Sequence, residues 1–194
     1  MAFSTDPVTL TCHRLTRTDA VRAIDASLRR QSPDVLVVRL SLHGNLDRLR
    51  IPEPRPSRRR DHLWKHTCFE MFVRLDDAYH ELNFSPSGEW AVYAFRGYRE
   101  RAALPDNAAA PEVTVRCSVN RIDLDAVVRA ACLSTEYAHA ALRVALAAVV
   151  EDARGSLSYW ALWHPPGKPD FHHPAGFALE LAPVAGVDSI GDPR

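Results

Sequence analysis

Long apolar stretches are missing from this sequence. No run in its 194 residues approaches the roughly 18 consecutive apolar residues of a membrane-spanning helix. The start, Met1-Ala2-Phe3-Ser4-Thr5-Asp6-Pro7, has no basic segment followed by an apolar core, so a secretory leader is not expected and the expected location is cytoplasmic. An excess of either charge sign is absent too. Lys+Arg and Asp+Glu are 24 each, which argues against a nucleic-acid partner. Paired cysteines are lacking: Cys12, Cys68, Cys117 and Cys132 are far apart, so reduced thiols packed as small core residues are expected rather than a zinc knot. The familiar catalytic signatures are absent as well. The chain contains no G-x-S-x-G elbow, no Gly-rich phosphate loop, no H-E-x-x-H and no dinucleotide fingerprint.

Glycine is scarce at 8 and proline plentiful at 14. The prolines gather at 52–56, at 105 and 111, and at 165–174, which reads as loops because proline gives no N–H to a sheet ladder. Between these loops hydrophobic residues alternate with a period of two, as in half-buried strands. The clearest rows are Leu36/Val38/Leu40/Leu42, Phe69/Met71/Val73/Leu75, Val113/Val115/Cys117 and Ile122/Leu124/Ala126/Val128. Ser85-Pro86-Ser87-Gly88 has the residue order of a type I turn and predicts a hairpin that returns from Glu89 to Arg96. Phe177, Leu179 and Leu181 close the series as a last strand. Two alanine-rich segments, 18–30 and 137–150, fit helix and strand equally. The whole pattern predicts an all-β antiparallel sandwich of jelly-roll or immunoglobulin-like kind, with one domain over 1–184 and a flexible tail over 185–194.

Chemistry concentrates in two segments rich in polar and aromatic residues, 63–84 and 159–173. Glu70 interrupts the apolar strand Phe69-Met71-Phe72, and a buried carboxylate is costly without a partner. Two readings stay open: an ion pair with an arginine such as Arg96 or Arg143, or a ligand-binding group on a concave sheet face. By strand parity Tyr79, Glu81 and Asn83 share a face, a carboxylate–amide–aromatic set suited to a polyhydroxylated ligand. The bland alternative is an ordinary solvent-facing row. Trp64 stands at a loop–strand junction, and one or both of Trp160 and Trp163 should be core. The nine histidines include the adjacent His172 and His173, which point apart on an extended chain and are a poor metal pair. The run Arg58-Arg59-Arg60 reads as a solvated loop.

The segments LWKHTCFEMFVR, YHELNFSPSGEWAVYAF and EDARGSLSYWALWHPPGKPDFHHPAGFALEL together resemble the DOMON-like proteins, bacterial single-domain relatives of the family 9 carbohydrate-binding modules. The resemblance runs from about Val8 to Leu181. It implies a tryptophan, and a strand glutamate six residues later, that touch sugar; Trp64 and Glu70 match that spacing. Asn83 matches the family's strand asparagine, and Glu81 stands where the family has an arginine. Phe171 or His172 falls in the region of the family's second tryptophan. Structural calcium and, in other DOMON domains, haem held by methionine and histidine are also family properties. No calcium ligands can be matched here, and Met71 reads as core.

The expectation is therefore a non-catalytic domain for a carbohydrate or similar small polar ligand, using Trp64, Glu70, Glu81, Asn83, Phe171 and His172, with no cofactor. Three alternatives stand beside it: a haem-binding DOMON-type domain, a glycan-processing hydrolase acting through Glu70 and Glu81, and a protein-interaction module.

Overall fold

A computed structural model describes residues 3–4, 6–104 and 109–184; the predicted tail, 185–194, lies outside the described residues. In chain order the strands are β1 (Phe3–Ser4), β2 (Val8–Thr9), β3 (Thr11–Cys12), β4 (Val21–Ser32), β5 (Val35–Gly44), β6 (Cys68–Leu75), β7 (Ala78–Phe84), β8 (Trp90–Gly97), β9 (Glu100–Ala102), β10 (Glu112–Ser118), β11 (Arg121–Arg129), β12 (Leu142–Glu151), β13 (Leu157–Ala161) and β14 (Leu179–Leu181). The first sheet runs β1-β4-β5-β11-β10, with β2 also on β4. The second runs β3-β13-β12-β6-β7-β8-β9, with β14 also on β12. Neighbouring strands are antiparallel throughout. The protein is an all-β sandwich. No helix among the described residues is long and apolar enough to cross a membrane.

Alternation decides which side chains meet. Ile24, Leu28, Leu36, Leu40, Ile122 and Leu124 of the first sheet join Phe69, Met71, Leu82, Phe84, Val144 and Leu146 of the second in one fully buried cluster. Each such side chain contributes roughly 1.5–3 kcal/mol on burial. Met71 is part of this core, and so is Trp160, whereas Trp163 is partly exposed. The predicted hairpin is present: the N–H of Gly88 donates to the carbonyl of Ser85 at 2.9 Å, with Gly88 at φ +90.

Both alanine-rich segments are strands, β4 and β12, preceded in the second case by a 3-10 turn at Thr135–Ala138. Sheet pairing on both sides overrides alanine's helical preference there. Three further expectations need correcting. Cys117 is exposed rather than core, because β10 is an edge strand. Phe177 precedes β14 and packs on the other side of the second sheet. Arg58 and Arg60 are not merely solvated; they pair with the buried Glu89 at 2.9 and 3.2 Å.

Arg30, fully buried on β4, ties the sandwich end together. Its guanidinium donates to the carbonyls of Ala140 at 2.8 Å, Ala182 at 3.0 Å and Tyr137.

Candidate functional site

The outward face of the second sheet is not a solvent face. A second apolar cluster lies there, built from Cys68, Phe72, Tyr79, Tyr93, Phe95 and Phe177, among others. Two loop segments cover it: the 3-10 turn Leu63–Lys65 and the proline-rich stretch leading to the Pro174–Gly176 turn. Strand β6 is consequently buried on both faces from Cys68 to Val73.

Pairing registers create a depression in this face. Reading across β13, β12, β6, β7 and β8, one transverse row is Ala161, Ala147, Glu70, Asn83, Ala91. The polar pair sits at the centre with only methyl groups on either side. The adjacent row is Ala145, Phe72, Glu81, Tyr93. Glu70 and Glu81 are thus diagonal neighbours on adjacent strands, which places their Cβ atoms roughly 7 Å apart or less.

A cavity of about 210 Å³ opens above this floor. Five of the six residues expected to form a site line it: Trp64, Glu70, Glu81, Phe171 and His172. Asn83 does not. It is fully buried and donates its Nδ2–H to Glu81 Oε1 at 2.7 Å, so it orients that carboxylate from below. Trp64 keeps 42% of its surface exposed at the rim. Sequence reasoning missed Tyr159, whose ring lies 5.9 Å from that of Phe171 and lines the same cavity.

Sequence reasoning also missed Arg99 and Asp170. Arg99 occupies the turn between β8 and β9 at φ 57, and its guanidinium pairs with Asp170 at 2.7 Å. Asp170 also accepts from Tyr98 Oη at 2.7 Å and from the backbone N–H of His172 at 3.1 Å. This junction pins the covering loop to the sheet. Asp170 adjoins Phe171 and His172 in sequence, but nothing local in the chain announces Arg99 as its partner.

The tautomer of His172 follows from its neighbours. Tyr79 Oη accepts the N–H of Arg99 at 3.0 Å and lies 2.8 Å from His172 Nδ1. Burial pushes the His172 pKa down to about 4, with nearby Arg99 acting in the same direction, so the ring is neutral near pH 7. Tyr79 therefore donates to Nδ1, and Nε2 carries the proton toward Glu81 Oε2, 3.6 Å away.

Glu70 is the exceptional group. It is 3% exposed and forms no ion pair with Arg96 or Arg143; Arg96 pairs instead with Glu100. Its Oε1 is buried without a hydrogen-bond partner, and so is Oδ1 of Asn83. Burial, reinforced by the Glu81 charge, raises the Glu70 pKa well above the ordinary carboxylate range. Burial raises Glu81 as well, opposed by the Asn83 hydrogen bond and by Arg101 and Arg99. No set of three or more metal-ligating His, Cys, Asp or Glu side chains clusters among the described residues.

Neither a known protein family nor a curated protein matches the sequence. Among solved structures, the fold is similar to that of a candidate carbohydrate-binding protein from Bacteroides uniformis. The TM-score is 0.61 and the identity 11%; the match covers 88% of this chain and 83% of that one. At that identity the likeness concerns the fold.

Proposed function

We propose that this protein is a non-catalytic binding domain for a saccharide or a similarly small hydroxylated ligand, held in the cavity above Glu70 and Glu81. The observation that carries this reading is Glu70: a nearly buried carboxyl group at a cavity floor, with an acceptor oxygen left unpartnered. A native fold rarely leaves such a group unmatched, and each exception calls for an explanation. A ligand hydroxyl or N–H supplies the missing donor. Trp64, Tyr159 and Phe171 give flat apolar walls for the carbon face of a sugar ring. The volume falls below the roughly 300–1,000 Å³ of pockets that enclose drug-sized molecules, which suits one ring or the end of a chain. The structural neighbour from Bacteroides uniformis agrees with this reading.

A hydrolase would use the same two carboxyl groups as acid and base. Both lie on one floor, on one side of any ring above them, whereas glycosidic cleavage needs them to flank the bond. That arrangement favours binding over turnover.

The test is thermal unfolding of the wild type and Trp64→Ala with a panel of monosaccharides. A ligand at ~10 mM with a Kd of ~100 μM adds about 2.7 kcal/mol, or roughly 5–10 °C. The expected result is a shift of that order in the wild type that disappears in the variant. The reading fails if no sugar moves the midpoint, or if Trp64→Ala keeps the full shift.

A further inference from the structure

The cavity holds more negative than positive charge that a ligand can meet. Its acidic, basic and histidine lining groups are Glu70, Glu81, Arg99, Asp170 and His172. Arg99 is consumed by Asp170 at 2.7 Å. His172 is neutral, its Nδ1 bonded to Tyr79. Two further cations lie close by without lining the cavity: Arg101 over the Tyr93 ring at 3.9 Å and Lys65 over the Trp64 ring at 5.5 Å. Two carboxyl groups therefore share the floor, and among the described residues no Lys or Arg forms an ion pair with either, although Arg101 and Arg99 lie near enough to lower the Glu81 pKa. Trp64, Tyr159 and Phe171 line the same cavity, and aromatic rings attract cations through the ring quadrupole.

We infer that the recognised ligand carries a protonated amine on its sugar-like ring, the ammonium lodging against Glu70 and Glu81 within the aromatic wall. This rests on the saccharide reading above and narrows it to amino sugars. An ammonium group brings three donors and a positive charge, while the site offers unmatched acceptors and an excess of acid. Bringing the cation in also completes a buried charge pair that is costly when half-made. Burial and the Glu81 charge raise the Glu70 pKa in the empty site; an arriving ammonium acts against that shift and favours release of the proton to solvent.

Titration calorimetry of the full chain with glucosamine, N-acetylglucosamine and glucose tests this. The expected result is glucosamine binding at least about tenfold tighter than both neutral sugars, with a heat that varies with buffer ionisation enthalpy because a proton is released. In Glu70→Gln the glucosamine and glucose affinities should come to within about threefold of each other. Equal affinities for glucose and glucosamine in the wild type would overturn the amine inference while leaving the saccharide function in place. Absence of binding by all three sugars would overturn both.

Discussion

The two sheets of this sandwich show opposite outer faces. On the first, every acid near the centre has a partner: Asp125 takes Arg39 at 2.6 Å and Arg116 at 2.5 Å, while Asp123 takes Arg121 at 2.8 Å and Ser41 at 2.5 Å. Asp123 and Asp125 each keep about a fifth of their side chains exposed, and their arginines are roughly half-exposed, so water shares in the solvation. On the second, Glu70 and Glu81 are nearly buried, and Glu70 Oε1 has no hydrogen-bond partner among the described residues. Alternation of polar and apolar residues reads alike on both. The difference lies in what covers the face, open solvent in one case and two loops in the other. A polar row under a cover, with Glu70 Oε1 left unpaired, is where the ligand is proposed to bind; a polar row in water is only a surface.

Substitutions at outward positions sharpen this contrast. The largest effect is expected for Phe72→Ala. Phe72 points outward from the second sheet yet is fully buried, with Phe177 and His172 rings against it at 6.3 and 5.2 Å. Its removal should cost about 3–5 kcal/mol in urea unfolding. The matching outward residue of the first sheet, Arg39, should cost less than about 1 kcal/mol as Arg39→Ala.

Acid should weaken the covered face through its buried histidine, even as it relieves the cost of Glu70. The His172 pKa is lowered from 6.5 to about 4, so the unfolded chain takes the proton first. Stability from this ring is complete above the unfolded value and is lost as pH falls toward about 4. His80, buried between the sheets against Tyr137, acts in the same direction. Between about pH 7.5 and pH 5 the single His172 contribution is about 2 kcal/mol. His172→Gln should therefore lose about that much less than the wild type over the same interval, as read from urea midpoints.

The smallest effect belongs to the open face. Asp125→Asn should cost less than about 1 kcal/mol, and the loss should shrink in ~1 M salt, where exposed ion pairs are screened. A larger, salt-insensitive cost would mean that this face too is covered, and the contrast would break.

Much of the architecture was legible because a strand pattern needs only local alternation. Leu36 to Leu42 and Ile122 to Val128 showed which side faces the core, and Ser85 to Gly88 showed the turn. The alanine-rich strands were ambiguous because their strand state comes from neighbours on both sides, which are distant in sequence. At the site, Trp64, Glu70, Glu81, Phe171 and His172 were readable as residue types out of place in their strands and loops. Asn83 was readable too, although it supports Glu81 instead of meeting the cavity. The Arg99–Asp170 junction was invisible, since it links a tight turn to a loop 71 residues later. Its importance emerges only when charges around the cavity are counted.

The most direct measurement is the unliganded stability of Glu70→Gln at about pH 7.5, where an unpaired buried carboxyl group is most costly. A group held for a ligand should weaken the empty fold, so the variant is predicted to be more stable than the wild type by about 1–2 kcal/mol, with the gain fading as pH falls toward about 4, where the unfolded chain's carboxyl is protonated as well and the raised native pKa costs nothing. A variant less stable than the wild type at both pH values would contradict the account, because Glu70 would then be a structural group that the fold itself satisfies.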